Sequence, residues 1–356
     1  MRITLNDRDR RRFAALREVQ ELNAAVLELY SLYLNQAPCA VTADEVRELS
    51  AACGVDHETA WRMLFAACCG LDGEKNPLHR RVMEQYLTPS VRLLDVQAYR
   101  SNPYLTTVCF PEGQVGKWTL KTQRYQSGEA FIRDDLVLRP DLTELPLMGF
   151  FMEKFDYPAV LENGREWMTI TPNEIESMAP AIAAAHGHVC AFGLGLGYFA
   201  FMASNKDNVS RVTVVERDPS VIELFKTHIL PRFPHKEKVN IVDNDAFLQA
   251  KAGLRGADFA FVDLWHDVAD GTDMYCRMKK LEKYSPDTEF SYWIESSILS
   301  HLRFELFAVM EDALAGCPGE NPFPETEEWR LKSYDDIVRC LGDDTLRLLA
   351  AGRKIQ

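Results

Sequence analysis

The chain of 356 residues lacks any Cys-x-x-Cys pair. Its nine cysteines are an odd number, and only Cys68 and Cys69 are adjacent, so neither a zinc spacing nor a disulfide framework can be read from them. Reduced cysteines in a cytosolic protein are the expectation. Positive charge is also scarce. A formal net charge of -13 argues against a dedicated nucleic-acid binder and against an anionic membrane surface, because both are met by clustered Lys and Arg. The one basic run, Arg8 to Arg12, is interrupted by Asp9 and reads as the solvated first turn of a helix. Long apolar runs are missing too. The most apolar stretch, Val189 to Ala203, is too short to span a bilayer and contains three glycines. The opening residues MRITLNDRDRRR have no apolar core of the signal-peptide kind. A cytoplasmic protein with neither nucleic acid nor membrane as partner is therefore expected.

What is present is an ordinary globular composition, 47% hydrophobic and 26% charged, in a chain long enough for two or three domains. Three textures follow one another. Residues 1–95 read as a helical domain. Phe13, Leu16, Val19, Leu22, Val26, Leu29 and Tyr30 recur at spacings of three and four, the stripe of an amphipathic helix. Thr42 with Glu45 is a capping-box signal for a helix Ala43 to Cys53, Gly54 stops it, and Asp56 can cap a third helix from His57 to Cys69. The pair has the outline of a DNA-binding helix-turn-helix, but its second helix offers only Arg62 and His57 beside Glu58, so no DNA binding is expected.

Residues 96–171 carry recurrent turn residues with aromatic and branched runs between them. Tyr104 to Phe110, Lys117 to Leu120 and Ala130 to Leu138 read as short strands of a small β-rich module. From residue 172 to 356, strand and helix alternate. Strands are expected at His188 to Phe192, Arg211 to Val215, Val239 to Val242, Ala257 to Val262 and Phe290 to Glu295. This pattern predicts an α/β fold, a Rossmann-like, doubly wound, mostly parallel sheet covered on both faces. The tail reads as two helices, Tyr334 to Cys340 and Asp344 to Ala351. Either Leu346 to Leu349 supplies a further strand or the sheet stops at five.

Three signals stand at the carboxyl ends of successive strands, the edge at which open α/β sheets bind ligands. Gly193, Gly195 and Gly197 form a loop whose backbone can approach a ligand closely. Glu216, about twenty residues on, is placed to accept hydrogen bonds from ribose hydroxyls. Asp245 can accept an exocyclic amine of adenine, and the N–H of Ala246 can serve a ring nitrogen. A dinucleotide fingerprint would need its last glycine at position 198, which is Tyr198, so a nicotinamide oxidoreductase is disfavoured.

The order G-x-G-x-G, then Val215-Glu216-Arg217-Asp218, then Asp245-Ala246-Phe247 resembles the class I S-adenosylmethionine (SAM) dependent methyltransferases over about residues 174–314. The nearest pattern is the spermidine-synthase-like branch, whose leading segment Leu161-Glu162-Asn163-Gly164 with Trp167 and Glu174 also resembles. After the fourth strand that branch has an acid serving as general base and a second acid three residues on. Here Asp263 matches the first position, and His266 stands at the second, with Asp267 following. The Tyr-His pair of the branch's polyamine site and the acid inside its glycine loop are both missing.

The resemblance implies SAM as cofactor, held by Gly193, Gly195, Gly197, Glu216, Asp245 and Ala246. Methyl transfer needs the acceptor placed in line and one proton managed. Asp263 and His266 are the candidate catalytic residues, and Trp265 could stack on a flat or cationic acceptor. The acids from Asp267 to Asp273 lack the alternation of a calcium loop and read as a solvated lid, so no metal is expected. The leading reading is a methyltransferase of a small molecule. A SAM-fold binding or regulatory protein without catalysis and an aminopropyl transferase are the alternatives, and a homodimer is compatible with all three.

Overall fold

The computed structural model describes residues 1–108, 112–317, 319–324 and 330–354. Its centre is a five-stranded sheet. In chain order the strands are β1 (Gly187–Phe192), β2 (Val209–Glu216), β3 (Val239–Asp243), β4 (Phe259–Val262) and β5 (Glu289–Tyr292), and they lie side by side as β3-β2-β1-β4-β5. Every pairing is parallel. The sequences VCAF and FAFV at the middle of this sheet are apolar on both faces, and all four residues of each are buried. Parallel strands require crossovers, and helices such as Tyr198–Ser204, Ala246–Ala252 and Val268–Leu281 supply them. Strand order reverses between β1 and β4, and the carboxyl ends of strands at such a reversal are where open α/β sheets bind ligands.

The chain in front of the sheet is helical and then β-rich. Helix Asp7–Gln36 is capped by Asn6, whose side chain accepts from the Asp9 amide at 2.8 Å. Its first half packs towards the sheet, with Phe13 stacked 5.2 Å from Phe307. Its second half, through Leu22, Val26, Tyr30 and Tyr33, packs in a separate apolar cluster with Trp61 and Phe65. Helix Ala43–Cys53 begins with the full Thr42/Glu45 capping box and ends at Gly54, in the left-handed region at φ 68°. In the following helix, His57–Cys68, Ala60, Trp61, Phe65 and Ala66 are buried, and Arg62 is tied to Glu58 at 2.7 Å.

A four-stranded antiparallel sheet runs Gly113–Val115, Trp118–Tyr125, Phe155–Glu162, Arg165–Thr169. A three-stranded sheet joins Val91–Leu93, Met148–Phe150 and Ala130–Ile132. The strand expected from Tyr104 is instead helix Pro103–Val108: Asn102 accepts from the Tyr104 amide at 2.9 Å and starts a turn. Phe110, at the end of that expected strand, lies outside the described residues. The run Ala130 to Leu138 breaks into Ala130–Ile132 and Val137–Leu138. Leu346 to Leu349 lies in helix Asp343–Gly352, so it supplies no strand. Among the described residues no helix is long and apolar enough to cross a membrane.

Candidate functional site

The loop after β1 alternates left-handed glycines with buried leucines. Gly193, Gly195 and Gly197 have φ of 94°, 53° and 76°, while Leu194 and Leu196 point into the core. The three glycines do different work. A β-carbon on Gly193 would collide with the backbone carbonyl of Asp263, and one on Gly197 with the ring of Phe225. Above Gly195 the nearest atom is the Met168 sulfur, 3.8 Å from where a β-carbon would stand. The outer glycines thus permit packing, whereas a β-carbon on the middle one would make only an ordinary contact with Met168. Helix Tyr198–Ser204 starts at Gly197.

Glu216, the last residue of β2, turns its carboxylate to this loop. One oxygen accepts from the Leu194 amide at 3.2 Å, and the other from the amides of Arg217 and Asp218, both at 2.8 Å. The side chain therefore fastens the glycine loop to the turn after β2 at the place expected for a ribose. Asp245 caps helix Ala246–Ala252, one carboxylate oxygen accepting from Phe247 and Leu248 at 2.9 and 3.0 Å. Ala246 is buried behind it.

Asp263 follows β4 directly. Its amide donates to Phe192 at 2.9 Å, so its position is set by the end of β1. Burial, together with the nearby Glu216 carboxylate, pushes its carboxyl up to about 7. Glu174 stands in the first turn of helix Pro172–Ala184. Burial drives this carboxyl well above the carboxylate range, and the charge of Asp263 adds to the effect. Helix Pro172–Ala184 is held at the sheet edge by Ser177, whose hydroxyl accepts from the Trp293 indole at 2.9 Å. Trp293 in turn donates its amide to Val262 at 3.0 Å, one residue before Asp263. Glu174, named in the leading segment from the sequence, therefore lies on a helix tied to the end of β4. Nothing in the local spacing could have paired Glu174 with Asp263, because the pairing depends on a helix packing over the sheet edge.

His266 is exposed, and its ring meets Trp167 edge-on at 5.7 Å. It lies on the side of the β-rich module. Near it the Glu166 carboxyl is pushed up by burial, an effect opposed by the Gln123 amide and the charge of His266. Among the described residues no hydrogen bond joins the His266 ring to Asp263.

Two sequence expectations need correction. Trp265 is 5% exposed, stacked 6.4 Å from Tyr292, and its ring fills the space beside Gly271, so it is a core residue and presents no face to an acceptor. The acids after it form no lid. Asp267 and Asp270 make a capping box, and Val268–Leu281 is a helix, because an Asp with an acid three residues on satisfies the first free amides. Among the described residues no group of side chains is arranged to hold a metal ion.

No family model matches the chain, and no curated protein matches it. Solved structures that it is similar to include the following two. One is a spermidine synthase from Thermotoga maritima, at 16% identity and a TM-score of 0.28, covering 39% of this chain. The chain spans about half, 52%, of that protein. The other is MNMC2 from Aquifex aeolicus, at 15% identity and a TM-score of 0.28, covering 52% of this chain and 71% of that one.

Proposed function

We propose that the crevice at the carboxyl ends of β1, β2 and β4 binds SAM, and that the protein transfers its methyl group to a small acceptor. The observation that carries this reading is the middle glycine of the loop. Gly195 has a left-handed backbone, and a β-carbon there would meet only the Met168 sulfur, at an ordinary contact distance of 3.8 Å, so its lack of a side chain leaves room beside the loop for a ligand. Glu216 stands beside that space and keeps acceptor capacity for a sugar diol. Asp245 and Ala246 start the helix after β3, at the expected adenine end. Asp263 borders the same loop, and a carboxyl titrating near neutrality is suited to taking one proton from an acceptor nucleophile. His266, exposed beside Trp167, is the second candidate base.

A thermal-shift panel of the full chain with SAM, S-adenosylhomocysteine, decarboxylated SAM and NAD tests the cofactor. SAM and S-adenosylhomocysteine should raise the Tm and NAD should not. A shift with NAD alone would overturn the reading. Decarboxylated SAM outperforming SAM would favour aminopropyl transfer.

A further inference from the structure

Strand Arg165–Thr169 does not pair evenly with its neighbour Phe155–Glu162. Glu166 lies opposite Leu161 and Met168 opposite Val160, so Trp167 is left over as the extra residue of a β-bulge. A bulge breaks the alternation of a strand and re-aims the side chain it carries. Here that side chain is an indole, 43% exposed. Its neighbours tie it to the glycine loop. The next residue, Met168, holds its sulfur 3.8 Å from the β-carbon position of Gly195. The His266 ring meets Trp167 edge-on at 5.7 Å, and His266 stands three residues beyond Asp263, whose carbonyl packs on Gly193. Trp118 lies tilted against Trp167 at 6.0 Å.

The charges around these rings are already matched. Lys117, 4.7 Å above the Trp118 ring, is paired with Glu162. Glu166 accepts from the Gln123 side-chain amide at 3.0 Å and has the charge of His266 beside it. What is left open is ring surface on Trp167 and the indole N–H of Trp118, which is buried with no hydrogen-bond partner among the described residues. Such a face favours a flat, uncharged ring over an ammonium or a carboxylate. We propose that Trp167 is the specificity-determining residue for the acceptor, and that the acceptor is a flat, uncharged aromatic ring bearing a hydroxyl group, stacked on Trp167 beside His266. This inference rests on the SAM reading above and names its substrate class. The transfer balances. The acceptor O–H bond breaks and an O–CH3 bond forms, the S–CH3 bond breaks to leave S-adenosylhomocysteine, and the proton passes through a base to solvent.

The test titrates the full chain, with S-adenosylhomocysteine present, with 2-naphthol and phenol, and with cyclohexanol and butylamine as non-aromatic controls. The same compounds are then supplied with SAM, and S-adenosylhomocysteine release is followed. 2-Naphthol should bind more tightly than phenol, and both more tightly than the controls. Release should follow the aromatic compounds. Trp167→Leu keeps bulk and removes the π face, so it should weaken 2-naphthol about 2- to 10-fold, as expected for the loss of an aromatic pair. Trp167→Phe should recover much of that loss, and SAM affinity should be unchanged in both variants. Controls that bind or turn over as well as 2-naphthol, or undiminished 2-naphthol affinity in folded Trp167→Leu, would overturn the ring platform and leave SAM binding standing. Failure of wild type to bind SAM or S-adenosylhomocysteine would instead remove the SAM reading, and the acceptor role of Trp167 with it.

Discussion

The backbone carbonyl of Asp263 occupies the position that a β-carbon on Gly193 would need. Strand β4 and the glycine loop are thereby pressed together, and the first and second glycines should respond differently to substitution. Gly193→Ala meets immovable backbone as well as a left-handed φ, so it should lower stability severely or prevent folding. Gly195→Ala has room and carries only the left-handed penalty, about 1–2 kcal/mol. It should fold with a modestly lowered Tm, and a bulkier side chain there should abolish SAM binding. Thermal denaturation with calorimetry separates the two. Similar losses of stability at both positions would contradict the absence of a close contact at Gly195.

Much of this arrangement is legible in sequence because it is local. Strand periodicity, the glycine spacing and the caps of Thr42 and Asp56 depend on neighbours within a few residues. Tyr104 was read from a branched run, but Asn102 capped it into a helix and packing drew its hydroxyl to the Leu196 carbonyl at 2.6 Å. Trp265 sits beside a site acid in sequence, yet its ring fills the core under Gly271. Glu174 joined the site only because Trp293 holds its helix over the sheet. Tertiary contacts decide the last two cases, and a single sequence does not display them.

Glu216 is expected to have two separable roles. Its three backbone amide bonds make it a clamp on the glycine loop as well as a ribose acceptor. Glu216→Ala should therefore cost stability in the free protein, about 1–3 kcal/mol for the amides left without their acceptor, and also weaken SAM. Glu216→Gln keeps one carbonyl acceptor and should recover part of the stability. Urea denaturation without ligand checks the clamp. Identical stability of wild type and Glu216→Ala would show that the amides are satisfied by water.

Arg303 joins distant parts of the chain. Fully buried, it pairs with the buried Glu144 of the β-rich module, with Asp343 at 2.5 Å and with the Leu341 carbonyl at 2.7 Å. The amide of Glu144 donates to Asn23 at 3.1 Å, and Asn23 accepts also from Tyr86 at 2.7 Å, so the network reaches the first long helix. Arg303→Met strands Glu144 without its cation and should destabilise by about 3–5 kcal/mol. The double variant Arg303→Met, Glu144→Leu removes both buried charges and should recover much of the loss. Chemical denaturation of wild type, Arg303→Met, Glu144→Leu and the double variant decides it. Additive losses would mean that the pair is not coupled.

The last prediction uses pH without any ligand. The carboxyl of Asp263 is raised from an ordinary value of 3.8 to about 7 in the folded chain, by burial and by Glu216. A raised acid binds its proton more tightly when folded than when unfolded. Its contribution is therefore full below about 3.8 and is lost as pH rises through about 7. Asp263→Asn removes this titration and frees Glu174 from a neighbouring negative charge. Other buried acids pushed upward, Asp135 and Glu144 among them, remain in both proteins and cancel in the difference. Subtracting the Tm of wild type from that of Asp263→Asn should thus give a value that grows between pH 5 and pH 8. Melting curves at constant ionic strength measure it. Parallel profiles over that range would mean that Asp263 titrates as an ordinary carboxylate, and the case for its acting as a base near neutral pH would fall with it.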